Sequence, residues 1–244
     1  MSISDFQDTP INSGSAKLEQ SNRPVITVLD YIEKCIPDFI KDSKVKKIRN
    51  EKGLTQRIVR ILTTNFDDAY PFFFDKEGME DETTGKSAAV DIDVIAKEII
   101  NVRSKIFQKG NRFFAFEAKI LGLNDKLREK EYLIGHLNNK GKYILCGGIE
   151  RFKKSIHGNG LDQCGMIGYM FTNDFNYWNK QINNWIDEFI KVNPDIQMMW
   201  SETDKLSLRL MNHQKAKYIS NHSRSLKNKR INPIEIYHIW INLT

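Results

Sequence analysis

The sequence predicts a mixed α/β domain in which helices flank a central β-sheet. Three patterns carry this prediction: apolar–polar alternation over residues 90–94, an aromatic and β-branched run at Arg112–Leu121, and an amphipathic helical pattern at Phe175–Val192. The polar residues 1–22 predict a disordered tail. Residues 23–244 are then expected to form a single domain.

Two helices are predicted near the N-terminus. Apolar residues recur at nearly helical spacing over residues 25–40, and Pro37 predicts an interruption there. Asn50 can cap a second helix that begins at Glu51. The apolar face of that second helix consists of Leu54, Ile58, Ile61 and Leu62.

Two neighbouring strands follow. Asp91 and Asp93 alternate with apolar residues over residues 90–94, so both aspartates share one face of a strand. The second strand is Arg112–Leu121, and residues 101–111 between the two strands are predicted to form a turn or a short connection. Direct pairing of these strands is therefore the simplest topology.

The rest of the chain completes the α/β pattern. It predicts a helix over residues 125–137, central strands over 143–148 and 166–171, the helix at Phe175–Val192 and a last strand over 234–243, whereas 196–210 favour neither state. The order of elements suits a mixed sheet between helices.

Charge is distributed unevenly along the chain, whose net charge is +6. Residues 101–244 carry 23 Lys and Arg against 13 Asp and Glu, and residues 206–233 contain no acid. A polyanion is a natural partner for such a region, although a solvated basic surface remains the alternative.

The hydropathy pattern and the cysteines bear on where the protein is located. No apolar run reaches the length of a membrane span, and the N-terminus lacks the apolar core of a secretion signal, so we expect no membrane partner and a cytoplasmic location. Three cysteines without a CxxC pair argue against a disulfide framework or a zinc knuckle.

Glu117 and Lys119 form the chemically suggestive pair. They are two residues apart on a strand, so they share a face and lie about 7 Å apart along it. A buried charge is costly unless it is paired or bound to metal. With Asp91 or Asp93 from the neighbouring strand, carboxylates and one lysine would converge, as metal-dependent phosphodiester hydrolysis requires.

These residues resemble the PD-(D/E)xK nucleases, which have the restriction-endonuclease-like fold. The resemblance covers residues 50–121 and implies catalytic roles for Asp91, Glu117, Lys119 and, on the preceding helix, Glu51. It implies that Asp91 and Glu117 bind Mg²⁺ or Mn²⁺, with Asp93 as the alternative first ligand. The proline that gives the family its name is absent before Asp91, which leaves the choice between the two aspartates open.

The resemblance also implies a function. It suggests a magnesium-dependent endonuclease that cuts DNA rather than RNA, similar to uncharacterised bacterial nucleases of restriction or phage defence, acting as a homodimer or with a partner subunit. Arg151, Lys153, His222 and Arg224 are the candidate nucleic-acid contacts. Two alternatives remain: a catalytically silent nucleic-acid-binding protein on the same scaffold, and an interaction protein that docks on an acidic partner.

Overall fold

A large mixed β-sheet with helices on both faces forms the centre of the computed structural model. The structure describes residues 22–80, 83, 88–122, 128–192, 198–226 and 229–244. The prediction of a mixed α/β fold is therefore confirmed. The predicted tail lies outside the described residues, apart from Asn22.

The described residues form four α-helices and eleven strands. The helices are α1 (Arg23–Lys41), α2 (Glu51–Thr64), α3 (Gly148–Lys153) and α4 (Phe175–Val192). The strands are β1 (Phe72–Lys76), β2 (Ile92–Ala96), β3 (Ile100–Val102), β4 (Lys105–Phe107), β5 (Arg112–Leu121), β6 (His136–Leu137), β7 (Tyr143–Ile144), β8 (Gln163–Met170), β9 (Ser207–Met211), β10 (Lys215–Leu226) and β11 (Lys229–Asn242).

Seven strands form the central sheet in the order β1-β2-β5-β8-β11-β10-β9. The β5–β8 and β8–β11 pairs are parallel, and the other neighbours are antiparallel. β2 and β5 pair directly, as predicted, with Asp93 opposite Ala115. The connection between them contains the β3–β4 hairpin.

Each face of the sheet packs against its own helices. Phe114 and Phe116 of β5 contribute to a core on one face, together with the apolar sides of α1 and α2. Trp240 of β11 belongs to the core on the other face, with the buried tryptophans Trp178 and Trp185 of α4. Because side chains alternate along β5, Glu117 and Lys119 face the second side.

The helix expected over residues 125–137 is wrong for the part that the structure describes. Residues 128–133 form turns, and Leu137 belongs to β6 with 56% of its surface exposed. The carbonyls of residues 131–133 accept hydrogen bonds of 2.8–3.2 Å from the N–H groups of residues 148–150, at the start of α3. The backbone groups are thus satisfied by a distant segment rather than by a local helix.

Two further expectations are corrected. Residues 143–148 contribute β7, which pairs with β6 in a small separate sheet, and not a central strand. α1 continues through Pro37 without a break. Residues 207–211, in the ambiguous region, form the edge strand β9. Among the helices that the structure describes, none combines the length and apolarity needed to cross a bilayer.

Candidate active site

Glu117 and Lys119 lie in the middle of the sheet with almost no exposure to solvent. Glu117 is 1% exposed and Lys119 is 5% exposed. The Lys119 Nζ donates to Glu117 Oε1 at 2.8 Å, so the two side chains form a buried ion pair. Burial opposes the charge on Lys119, but the carboxylates of Glu117, Glu51 and Asp91 outweigh it and raise the pKa of the lysine. Lys119 is therefore held as an ammonium.

Glu51 reaches the same lysine from the first turn of α2. Its Oε1 accepts a hydrogen bond of 3.1 Å from Lys119 Nζ. The predicted cap is confirmed, because Asn50 Oδ1 accepts from the Gly53 N–H at 2.8 Å and fixes the start of α2. Burial raises the pKa of Glu51 even though Lys119 opposes the shift.

Asp91 lies immediately before β2 and turns its carboxylate onto β5. Its Oδ2 accepts a hydrogen bond of 2.7 Å from the Ala118 N–H. Burial, followed by the negative charge of Glu117, raises the pKa of Asp91 to about 7, and the charge of Glu51 adds to the effect. Four groups that were predicted from the sequence, Asp91, Glu117, Lys119 and Glu51, thus lie close enough to perturb one another.

Arg151 and His157 also contact Glu117. Arg151 Nη1 donates to Glu117 Oε1 at 2.9 Å, and His157 Nε2 lies 3.3 Å from Glu117 Oε2. Burial opposes ionisation of Glu117, but Lys119, His157 and Arg151 outweigh it and lower its pKa to about 2. The His157 contact lacks hydrogen-bond geometry, so among the described residues Glu117 Oε2 is a buried carboxylate oxygen without a hydrogen-bond donor.

Asp93 lies in a neighbouring cluster rather than at this centre. Its carboxylate accepts from Arg112 Nη1 at 3.2 Å, and Arg112 Nη2 also donates to Glu80 at 2.5 Å. Burial raises the pKa of Asp93 to about 6 although Arg112 opposes the shift. His157 Nδ1, 3.7 Å from Glu80 Oε1, lies between the two clusters.

Three of the four predicted nucleic-acid contacts are not at the surface. Lys153, His222 and Arg224 are at most 4% exposed, which corrects the expectation that they face a polyanion. Lys153 Nζ donates to Asp204 at 2.6 Å, and His222 contacts the same carboxylate. Arg224 donates to two backbone carbonyl oxygens at 2.7 and 3.0 Å. Their polar groups are satisfied inside the protein, as burial requires.

His157 was not predicted from the sequence, and Arg151 was predicted to contact nucleic acid rather than Glu117. The signal for His157 is weak: it precedes Gly158 and Gly160, which adopt φ values of 67° and 78° in a tight turn. A side chain at either position would be strained in that backbone conformation. His157 follows α3, where its backbone N–H donates to the Arg151 carbonyl at 3.2 Å, and its fully buried imidazole lies beside Glu117.

The donor set at this centre suits a divalent cation. Three carboxyl groups, from Asp91, Glu117 and Glu51, lie around Lys119, and Arg151 contacts Glu117, so carboxyl groups outnumber the lysine and arginine side chains. Hard carboxylate oxygens are the ligands that Mg²⁺ and Mn²⁺ prefer, and among the described residues Glu117 Oε2 accepts no hydrogen bond that would compete with an ion.

Fold and site together define a mixed α/β protein with a buried carboxylate–lysine centre at the middle of its sheet. Comparison of the chain with protein-family models, with curated proteins and with solved structures gave no match.

Proposed function

We propose that this protein is a metal-dependent nuclease of the PD-(D/E)xK type, with a restriction-endonuclease-like fold, that hydrolyses phosphodiester bonds in DNA. The observation that carries the proposal is the convergence of Asp91, Glu117 and Glu51 around Lys119, with one buried Glu117 oxygen lacking a hydrogen-bond donor among the described residues. An aspartate before one strand, Glu-x-Lys on the next and a glutamate on the preceding helix support the resemblance.

Asp91 and Glu117 would hold Mg²⁺ or Mn²⁺, and Glu51 would support the site. The bound ion would polarise the scissile phosphate and acidify a water molecule. Asp91 is favoured over Asp93 as the first ligand, because Asp93 is already paired with Arg112, whereas Asp91 accepts a backbone hydrogen bond through Oδ2 and, among the described residues, has no ion pair. The second oxygen of Asp91 can then bind the ion.

Lys119 would act as a cation rather than as a base. Its raised pKa keeps it protonated at neutral pH, so it can donate hydrogen bonds but cannot accept a proton. In this position it would orient the substrate phosphate and stabilise negative charge that develops on it. Arg151, whose side chain is 26% exposed, donates to the same Glu117 oxygen and can make a second phosphate contact.

The choice of DNA, a role in bacterial restriction or phage defence, a homodimer or partner subunit and a cytoplasmic location all rest on the resemblance and on composition. The buried positions of Lys153, His222 and Arg224 remove three of the expected nucleic-acid contacts. Exposed Arg209 on the edge strand β9 is a remaining basic residue that can reach a backbone phosphate.

Cleavage of supercoiled plasmid tests the proposal. Wild-type protein should nick or linearise the plasmid with Mg²⁺ or Mn²⁺ and not with a chelator. Glu117→Gln should reduce the rate by more than about 100-fold, because it removes a charged metal ligand. Glu98→Gln makes the same chemical change at an exposed position and should cleave normally. Circular dichroism should show the same fold in both variants.

Lys119→Ala separates the proposal from its main rival. A nuclease should lose cleavage in this variant while a gel shift still shows DNA binding. Wild-type protein that binds DNA but never cleaves it under any metal would instead indicate a catalytically silent binding protein. No affinity for DNA at low salt would favour an interaction protein with an acidic partner.

A further inference from the structure

Three chemically different donors meet beside α3, outside the proposed magnesium site. Glu131 Oε1 lies 2.9 Å from His136 Nδ1 and 3.4 Å from Cys146 Sγ, and Cys146 Sγ lies 3.3 Å from His136 Nδ1. A carboxylate, an imidazole and a thiol therefore form a compact triangle. This set differs from a zinc knuckle, which is why cysteine spacing gives no sign of it.

The size of the triangle fits a tetrahedral ion. Bonds of 2.0–2.3 Å from zinc to O, N and S place neighbouring ligand atoms roughly 3.3–3.6 Å apart. The three observed separations lie within about 0.5 Å of that range. Three protein ligands would leave a fourth position for water, and Cys146 is partly exposed, so solvent and ions can reach the triangle.

The backbone holds the three donors in place without an ion. The carbonyls of residues 131–133 bind the start of α3, and β6 pairs with β7 so that His136 lies opposite Ile144. The Cys146 N–H donates to the Ile144 carbonyl at 3.0 Å. Because this segment is already ordered, ion binding there would require little further loss of conformational entropy.

Arg128 supports the carboxylate from outside the triangle. Its guanidinium donates to both Glu131 oxygens, at 2.6 and 2.8 Å, and fixes the plane of the carboxylate. Metal-bound carboxylates are themselves usually hydrogen-bonded in this way, and each oxygen has a second lone pair to offer.

We propose that Glu131, His136 and Cys146 form a zinc site distinct from the magnesium centre. Thiol and imidazole donors select Zn²⁺ over Mg²⁺, which prefers oxygen. The site would brace the active centre, because the Leu145 carbonyl, next to Cys146, accepts from Arg151 Nε at 3.3 Å, and Arg151 holds Glu117.

Cobalt titration of the metal-free full chain tests this site directly, because Co²⁺ bound to a thiolate gives a charge-transfer absorption band. Wild-type protein should show the band, saturating at one Co²⁺ per chain, and excess Mg²⁺ should not remove it. Cys146→Ser should lose the band, whereas Cys35→Ala, which removes a thiol from α1, should keep it. A wild type without the band, or a band that survives Cys146→Ser, would overturn the proposal.

Two further variants test a second ligand and separate the zinc site from the nuclease centre. His136→Ala should keep its circular dichroism spectrum and bind Zn²⁺ at least tenfold more weakly in competition with a chromogenic chelator; unchanged affinity would exclude His136 as a ligand and overturn the proposed donor set. Glu117→Gln should keep the full cobalt band. The zinc site is thereby judged independently of nuclease activity.

Discussion

Asp91→Asn should make the metal-free protein more stable while it abolishes cleavage. Burial, and after it the neighbouring carboxylates of Glu117 and Glu51, raises the pKa of Asp91 to about 7. The difference from about 3.9 in an unfolded chain corresponds to a maximum of about 4 kcal/mol of folding free energy. Asp91 retains partial contact with solvent, so we expect about 1–2 kcal/mol of this to be recovered in the variant.

The pH dependence gives the sign of the effect. Below the unfolded pKa both states carry the proton and Asp91 costs nothing. As the pH rises to the folded pKa of about 7, only the unfolded state loses its proton, so the folded protein becomes progressively less stable. The advantage of Asp91→Asn should therefore grow between pH 5 and pH 8. Asparagine can still accept the hydrogen bond from the Ala118 N–H, so that contact is retained.

Urea unfolding in the presence of a chelator, at pH 5 and pH 8, measures this difference. Asp30→Asn makes the same chemical change on the exposed side of α1 and is the matched control. Addition of Mg²⁺ at pH 8 should stabilise the wild type and not Asp91→Asn. A variant that is less stable than the wild type at pH 8, or a difference that does not change with pH, would refute the proposed carboxylate cluster.

Three other substitutions test the surrounding structure. His157→Asn should raise the Mg²⁺ concentration needed for cleavage by about 10- to 100-fold, because His157 contacts the proposed metal ligand Glu117; an unchanged Mg²⁺ titration would exclude that role. Asp204→Asn should lower the free energy of unfolding by about 3–5 kcal/mol in urea, since it leaves the buried ammonium of Lys153 without its countercharge; a loss below about 1 kcal/mol would contradict this account. Gly165→Ala should cost about 1–3 kcal/mol in the same assay, because the added carbon would lie 2.1 Å from a β5 aromatic ring.

Local periodicity was sufficient where an element carries its own pattern. β2, β5, α2 and α4 could all be predicted, because alternation or helical spacing repeats within each segment. The pairing of Glu117 with Lys119 follows from the same rule, since residues two apart on a strand share a face. The helix cap at Asn50 could be predicted for a similar reason, because its partner, the Gly53 N–H, is only three residues away.

The failures occurred where the deciding partner is remote in sequence. The turns at residues 128–133 replace a predicted helix because the carbonyls of residues 131–133 bind the start of α3. Lys153 and His222 are basic and were expected at the surface, but Asp204 meets both of them in the interior. His157 contacts Glu117 of β5, a contact between segments that are far apart in sequence.

The sequence by itself determined which strands alternate, which helix Asn50 caps and that Glu117 and Lys119 lie on one side of β5. Only the tertiary structure decided that Asp91 rather than Asp93 joins them and that Arg151 turns inward. The physical reason is that backbone periodicity orients a side chain relative to its own element. The charges that it meets, and the water that it loses, depend on segments brought together by packing.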